Sequence, residues 1–292
     1  MKLFITGFGG FVGGNVIAQA TKDWDIYAVD RIDIPENRDA VSYYSLDLLD
    51  FEKLTQLFED INPDAVIHTA ALADIDFCQN NREQAEAINV GVTRKLAELC
   101  AGNGAKLVFC STDTVFDGQK GFYVEEDEPH PINFYAETKV RAENIVNALD
   151  NSVVARLSLV MGLPVMGRGN SFLARTIEKL GAGESVKFPQ NEIRTPIDVI
   201  TLGRALLELA GNGFSGTVHL AGNDRLTRYD MARRIAERLG FSRELIIATD
   251  SNAMPGRAPR PNDASLDNTK AKQILQTPMR SLMDGLDLTL NF

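Results

Sequence analysis

The chain has 292 residues, 44% of them hydrophobic, which is enough for one large core or a core with a smaller lobe. A net charge of -10 argues against a general nucleic-acid or membrane-surface binder, and no apolar run approaches the length of a membrane span. The cysteines Cys78, Cys100 and Cys110 have no zinc-binding spacing, so no metal centre and a reducing, cytoplasmic setting are expected.

In chain order, "KLFIT" reads as a strand at the start, with no leader expected before it. A helix from about Gly10 to Lys22 follows, then the strand "DIYAVD" and the helix "FEKLTQLFEDI". "AVIHTAA" is the next strand. A long helix from about Glu83 to Asn103 places Ile88, Val92, Leu96, Leu99 and Cys100 at helical spacing. "KLVFCS", a helix containing Tyr135, and "SVVARLS" complete this half. Near-continuous apolar strands joined by helices predict right-handed crossovers and a parallel sheet covered on both faces. The fold class is therefore α/β, a Rossmann-type doubly wound sheet.

Beyond Leu157 the pattern loosens. "VMGLPVMGRGN" and "AMPGRAPRPNDAS" read as loops, "PIDVITLGRALLELA" as a helix, "GTVHLAG" as a strand and "RYDMARRIAERLG" as a helix closed by glycine. His68 and His219 lie inside apolar strands and read as core histidines, and the acidic run Glu125 to Glu128 reads as a solvated loop face. A main domain is expected over residues 1–160, with 196–222 returning to it. Residues 161–195 and 223–292 are expected to form a smaller substrate-binding lobe.

"ITGFGGFVGG" sets Gly7, Gly10 and Gly13 directly after the first strand, where a helix opens. Glycine allows a tight turn and close backbone approach, and the helix N-terminus offers free N–H groups to a pyrophosphate. The spacing is GxxGxxG, and its position at the first strand–helix junction makes it a dinucleotide signal. Asp30 ends the second strand and suits the ribose hydroxyls of NAD; Arg31 beside it suits the 2′-phosphate of NADP. Both cofactors stay open. Thr112 closes a later strand at the same carboxyl edge, and Tyr135-x-x-x-Lys139 follows on the next helix. Tyr135 is the only one of six tyrosines with Lys at the fourth position.

The TGxxGxxG turn, the hydroxyl after a strand and YxxxK together resemble the extended short-chain dehydrogenase/reductases. The likeness is to their dTDP-4-dehydrorhamnose reductase-like, sugar-nucleotide-reducing members. "STDTVFDG", "INFYAETKVRAE", "RGNSF" and "RPNDASLDNTKA" resemble segments of that subgroup, so the likeness spans the chain. It implies NAD(P)-dependent reduction of the keto group of a nucleotide-linked 4-keto-6-deoxy sugar, in a possible homodimer. Tyr135 would donate the proton to the carbonyl oxygen, Lys139 would lower the Tyr pKa and hold the nicotinamide ribose, and Thr112 would polarise the carbonyl. The cofactor would be met by Gly7, Gly10, Phe11, Val12, Gly13, Asp30, Arg31 and Lys139. By the same likeness Asp47 and Leu48 would face the adenine, with Ala70, Ala71 and Leu72 lining the cofactor further on. Thr114, Phe116, Asn170 and Arg260 would meet the substrate, Arg260 either on its phosphate or pinning a loop.

Departures narrow the chemistry. Asp113 and Thr114 stand where sugar-nucleotide 4,6-dehydratases carry Asp and Glu, so the second carboxylate for water elimination is missing. Thr114 also replaces a Tyr usual in the reductases, and no Cys occupies the position used by epimerase-reductases. Phe77 and Gln79 replace more charged residues. Two other readings remain: a nucleotide-sugar 4-epimerase with retained NAD, and a non-catalytic regulatory subunit like that of methionine adenosyltransferase.

Overall fold

The structure is a computed structural model that describes residues 1–33, 41–166, 171–251 and 256–292. Seven parallel strands form the central sheet. In chain order the first six are β1 (Lys2–Thr6), β2 (Asp25–Asp30), β3 (Val41–Ser45), β4 (Ala65–His68), β5 (Lys106–Thr112) and β6 (Ser152–Leu157). Gly216–Leu220 adds a seventh beside β6, and β3 forms the opposite edge beside β2. The order across the sheet reverses between β1 and β4, the junction at which open α/β sheets bind ligands.

Strand side chains alternate between the two faces, and here both faces are dry. Leu3, Ile5, Ile67 and Val108 pack on one side with α1 (Phe11–Gln19) and the later helix Val199–Gly211. Phe4, Val66, Leu107 and Phe109 pack on the other, against α2 (Phe51–Ile61) and the helices Val92–Asn103 and Phe134–Asn147. Two short helices, α3 (Ile75–Asn80) and α4 (Arg82–Glu86), precede a π turn at Ala87–Gly91 and α5 (Val92–Asn103). The long helix read from Glu83 to Asn103 is thus present, with one wide turn inside it. α6 (Phe134–Asn147) carries Tyr135 and Lys139. Its N-cap Asn133 accepts from the Ala136 N–H at 2.9 Å and donates to the Pro259 carbonyl at 3.0 Å.

The chain after β6 builds a separate apolar cluster. Of the next three helices, α7 (Phe172–Gly181) and α9 (Arg228–Arg238) belong to it, whereas α8 (Val199–Gly211) packs on the sheet. Leu173, Leu180, Met231, Ile235 and Leu286 form the smaller core with Phe188 and Ile246, whose strands Val186–Pro189 and Ile246–Thr249 pair in parallel. The helix read from Pro196 begins only at Val199, because Ile197–Asp198 pair with Val160–Met161 and the Asp198 carboxylate caps the helix. Among the described residues no helix is long and apolar enough to cross a membrane.

Glu125 departs from the solvated reading of its acidic run. Its carboxylate accepts from the His219 N–H at 2.8 Å, and burial raises its pKa. His68 and His219 are core residues as read, each held neutral by burial with a pKa of about 3.

Close packing of the first turn gives a stability test. A Cβ at Gly13 would overlap the Gly7 carbonyl, whereas one at Gly102 meets nothing within 4 Å. Gly13→Ala is expected to cost about 1–3 kcal/mol, and Gly102→Ala to be neutral or to stabilise by up to ~1 kcal/mol. Urea unfolding of the two variants measures both.

Candidate active site

The glycine turn is shaped for close approach. Gly7 has φ +80°, and a Cβ there would stand 2.9 Å from Ala70 Cα. Gly10 begins α1 with no side-chain cap, so the first N–H groups of the helix face the turn. A pocket of about 220 Å³ opens beside the turn, lined by Gly7, Asp30, Arg31, Asp47, Leu48 and Ala70–Leu72. Asp30 is fixed there, because its carboxylate accepts from the Gly9 N–H at 2.9 Å and the Arg31 N–H at 2.7 Å.

Sharing Gly10, Thr69 and Ala71 with this pocket is a cavity of about 670 Å³. Gly10, Phe11, Val12 and Gly13 form one end; Thr112, Thr114, Tyr135 and Lys139 form its floor. The space thus runs from the β2 edge, over the helix N-terminus, to the carboxyl end of β5. The glycine cradle, free helix N-terminus and fixed carboxylate fit an extended dinucleotide.

A hydrogen-bond relay sets the floor against the turn. In the π turn, Asn89 accepts from the Leu72 N–H at 2.8 Å and donates to the Leu72 carbonyl at 3.1 Å. It also donates to Thr138 Oγ1 at 3.0 Å, and Thr138 donates to the Tyr135 carbonyl at 2.6 Å. His68 bridges Thr6, at the end of β1, and Thr93 at 2.7 and 3.1 Å. From α3, Gln79 accepts from the first N–H of α6 at 3.0 Å. Of these polar side chains the sequence singled out only His68, as a core histidine, and Gln79, as a departure; nothing in the local spacing marks Asn89 or Thr138.

Tyr135 and Lys139 are 8% and 2% exposed. Burial pushes the phenol well above its usual range, and Asp113 adds to this, while a hydrogen bond with Thr112 offsets part of it. The net direction is upward, where the sequence reading expected Lys139 to bring the phenol down. A phenol held protonated is the form that donates to a carbonyl oxygen. Burial pushes Lys139 down, to about 8, and its ammonium lies 4.1 Å from the centre of the Phe109 ring. The Thr112 hydroxyl lies 3.1 Å from that of Thr114.

The far wall carries charges that sequence reading did not single out. Glu192, 1% exposed, pairs with Arg257 at 2.7 Å and Arg228 at 3.3 Å. Burial alone would raise its carboxyl, but Arg228, Arg194 and Arg257 together hold it low. Arg194 lies 3.4 Å from Asp113 and donates to the carbonyls of Ile193, Pro261 and Asn262. Charged residues inside the short strand-like stretch "NEIRTPI" were the available signal.

Arg260 lines the cavity and also pins a loop, through two bonds to Asp76 at 2.5 and 2.7 Å. Phe116 is a correction. It is fully buried, stacked on Tyr123 with ring centres 4.0 Å apart, and lines neither pocket. Apolar packing, not ligand contact, explains its place in "TVFDG". Asn170 lies outside the described residues.

The same comparisons with known proteins cover nearly the full chain. A family profile described as RmlD substrate binding domain matches residues 1–291. A probable low-salt glycan biosynthesis reductase, Agl14, of Haloferax volcanii is 30% identical, the match covering 98% of this chain and 96% of that one. Methionine adenosyltransferase 2 subunit beta of Mus musculus is also 30% identical, over 96% of this chain and 85% of that one. A solved structure of a hypothetical dTDP-4-dehydrorhamnose reductase from Sulfolobus tokodaii superposes with a TM-score of 0.85 at 30% identity, covering 98% and 99% of the two chains.

If the Lys139 ammonium is required, activity depends on pH with a definite sign. The charged form is present below about 8 and lost above it. In the free protein, kcat/KM is expected to fall on the alkaline side with a midpoint near that value, which a pH profile at constant ionic strength will show.

Proposed function

We infer that this chain, which belongs to the RmlD substrate binding domain family, catalyses NAD(P)H-dependent reduction of the keto group of a nucleotide-linked 4-keto-6-deoxy sugar. The observation that carries this reading is the convergence of Thr112, Tyr135 and Lys139 on the floor of one cavity that opens onto the glycine cradle. When bound, the reduced nicotinamide supplies the hydride. Gly7 and Gly10–Gly13 would hold its pyrophosphate, and Asp30, Asp47 and Leu48 its adenosine. Lys139 holds the nicotinamide ribose.

Thr112 donates a hydrogen bond to the substrate carbonyl and orients it. The protonated Tyr135 phenol then gives its proton to that oxygen as negative charge develops there. The ammonium of Lys139 stabilises the phenolate left behind. Burial strengthens each of these electrostatic effects, because little water competes. Arg257, Arg228 and Arg260, on the lobe of residues 223–292, face the same cavity and supply positive charge for a nucleotide diphosphate. The single carboxylate beside Thr112 does not provide the acid/base pair of a dehydratase, since Asp113 is committed toward Arg194 and Thr114 is a hydroxyl.

A regulatory-subunit reading has a named relative at the same identity. Retention of the full hydroxyl, phenol and ammonium set in an open cavity favours catalysis. The test is oxidation of NADH and NADPH with a panel of dTDP-, GDP-, UDP- and CDP-linked 4-keto sugars. Tyr135→Phe should lower turnover by about 10²–10⁴-fold while cofactor affinity stays near wild type. Wild-type turnover in that variant, or no oxidation with any sugar, would overturn the reading.

The pinned Asp30 carboxylate also sets an expected cofactor preference, because it favours a free ribose hydroxyl over a 2′-phosphate. NADH should show the higher kcat/KM, and Asp30→Ala should narrow the ratio by about tenfold, or ~1.4 kcal/mol.

A further inference from the structure

Behind the floor of the cavity lies a second buried charge cluster that the chemistry above does not use. Glu143 and Arg156 have side chains 3% and 5% exposed and form a forked pair, with nitrogen–oxygen distances of 2.8, 3.1 and 3.2 Å. The Ser111 hydroxyl donates to the same carboxylate. Arg156 stacks over Phe116 and donates toward the Glu125 carbonyl at 3.4 Å. The cluster therefore ties three elements together: Glu143 is on α6, Ser111 on β5 and Arg156 on β6.

Its position along the chain matters. Tyr135, Lys139 and Glu143 follow one another at four-residue intervals on α6, so they form one row down the helix. Ser111 directly precedes Thr112. One carboxylate is thus fixed to the two elements that carry every group proposed for proton transfer. A purely structural anchor between helix and sheet does not require charge; apolar residues of similar volume serve equally well or better.

We propose that Glu143 is a positioning residue for the proton-transfer pair: clamped by Arg156 and Ser111, its carboxylate stands one helical turn from Lys139 and keeps that ammonium charged in a cavity too dry to hold it unaided. This rests on the role given to Lys139 above. The other groups around Lys139 do not replace Glu143. Cys110 on β5 and Cys78 on α3 are thiols that burial pushes up to about 12 and about 11, so both are neutral. His68 on β4 is neutral, and Phe109 offers only its ring face. Asp113 faces Tyr135 and lies beside Arg194. Arg82, Glu86 and Arg141 meet on the outer side of α6, around Phe134. Among the influences on Lys139, burial lowers its pKa, and Cys110, Glu143 and Cys78 raise it in that order; with both thiols neutral, Glu143 is the full negative charge among them.

The experiment reads Lys139 itself. The full-length protein, labelled with ¹⁵N-lysine, is titrated by NMR without substrate, and the Lys139 signal is assigned by its absence in Lys139→Arg. In Glu143→Gln the ammonium midpoint should fall by about one pH unit, and the alkaline limb of kcat/KM should move down with it. Should Glu143→Gln fail to fold, the double variant Glu143→Gln/Arg156→Gln removes both buried charges and leaves two amides able to hydrogen-bond. The midpoint should still fall there, because Glu143, and not Arg156, is among the charges that act on Lys139. An unchanged midpoint in the folded variant, even with lowered thermal stability, would reduce Glu143 to an anchor and overturn the proposal. The NMR midpoint does not depend on the sugar, so absence of turnover with every keto sugar would remove the functional reading while the titration still decides this one.

Discussion

Keeping a charged lysine out of water is the constraint around which this site is arranged. An ammonium buried to this degree loses most of its hydration, and the loss favours the neutral amine. The fold answers with several partial compensations rather than one direct ion pair. An aromatic face lies under the ammonium, a carboxylate stands one turn along the helix, and neutral thiols and a neutral imidazole occupy the remaining sides. A direct salt bridge would hold the charge more firmly, but it would leave less of it for a phenol and a ribose. The neighbouring phenol faces the same dryness with the opposite result: burial and Asp113 keep its proton on. Phenol and amine are thus pushed toward their neutral forms by one shared environment.

That environment is a product of parallel topology. All seven strands point the same way, so the ends of β1, β2, β4 and β5 reach one edge of the sheet. The turn after β1, the carboxylate after β2, the Ala70–Leu72 segment after β4 and Thr112 at the end of β5 become neighbours without further design. The later part of the chain closes this edge. Four of the arginines it brings to the cavity are paired with carboxylates, Arg257 and Arg228 with Glu192, Arg260 with Asp76, and Arg194 with Asp113. Buried guanidinium groups need such partners, which gives the far wall a fixed geometry while it remains rich in donors.

What was legible in the sequence follows from these physical distinctions. β1, β2, β4, β5 and β6 are continuous apolar runs because both faces are buried, and they could be read directly. β3, "VSYYS", is an edge strand with partly exposed residues, and no such run marks it. The Tyr135–Lys139 pair and the glycine turn were legible because local spacing determines them. Glu192, Arg194 and Arg228 were not, because their partners are distant in sequence: Glu192 and Arg194 lie at the two-residue strand Ile193–Arg194, Arg228 opens α9 and Asp113 sits in a 3-10 turn. Phe116 was misplaced because the likeness of "STDTVFDG" to its subgroup implied a substrate contact, whereas the 3-10 turn Asp113–Val115 carries the chain away and buries the ring against Tyr123. The sign of the phenol shift was also out of reach, since it depends on Asp113 and on burial rather than on the pair's spacing.

The wide turn at Ala87–Gly91 has a consequence for how this protein can change over generations. A π turn holds one residue more than an α turn, and each residue in a helix rotates the chain by about 100°. Removing a single amino acid from Arg82–Asn103 would restore ordinary helical winding and swing Asn89 away from Leu72 and Thr138, or turn the apolar side of α5 off the sheet. Side chains on this helix can be exchanged one at a time, but its length cannot. Insertions and deletions that neighbouring surface loops absorb are closed to it, so the residue count of this segment carries as much information about the site as the identity of any residue within it.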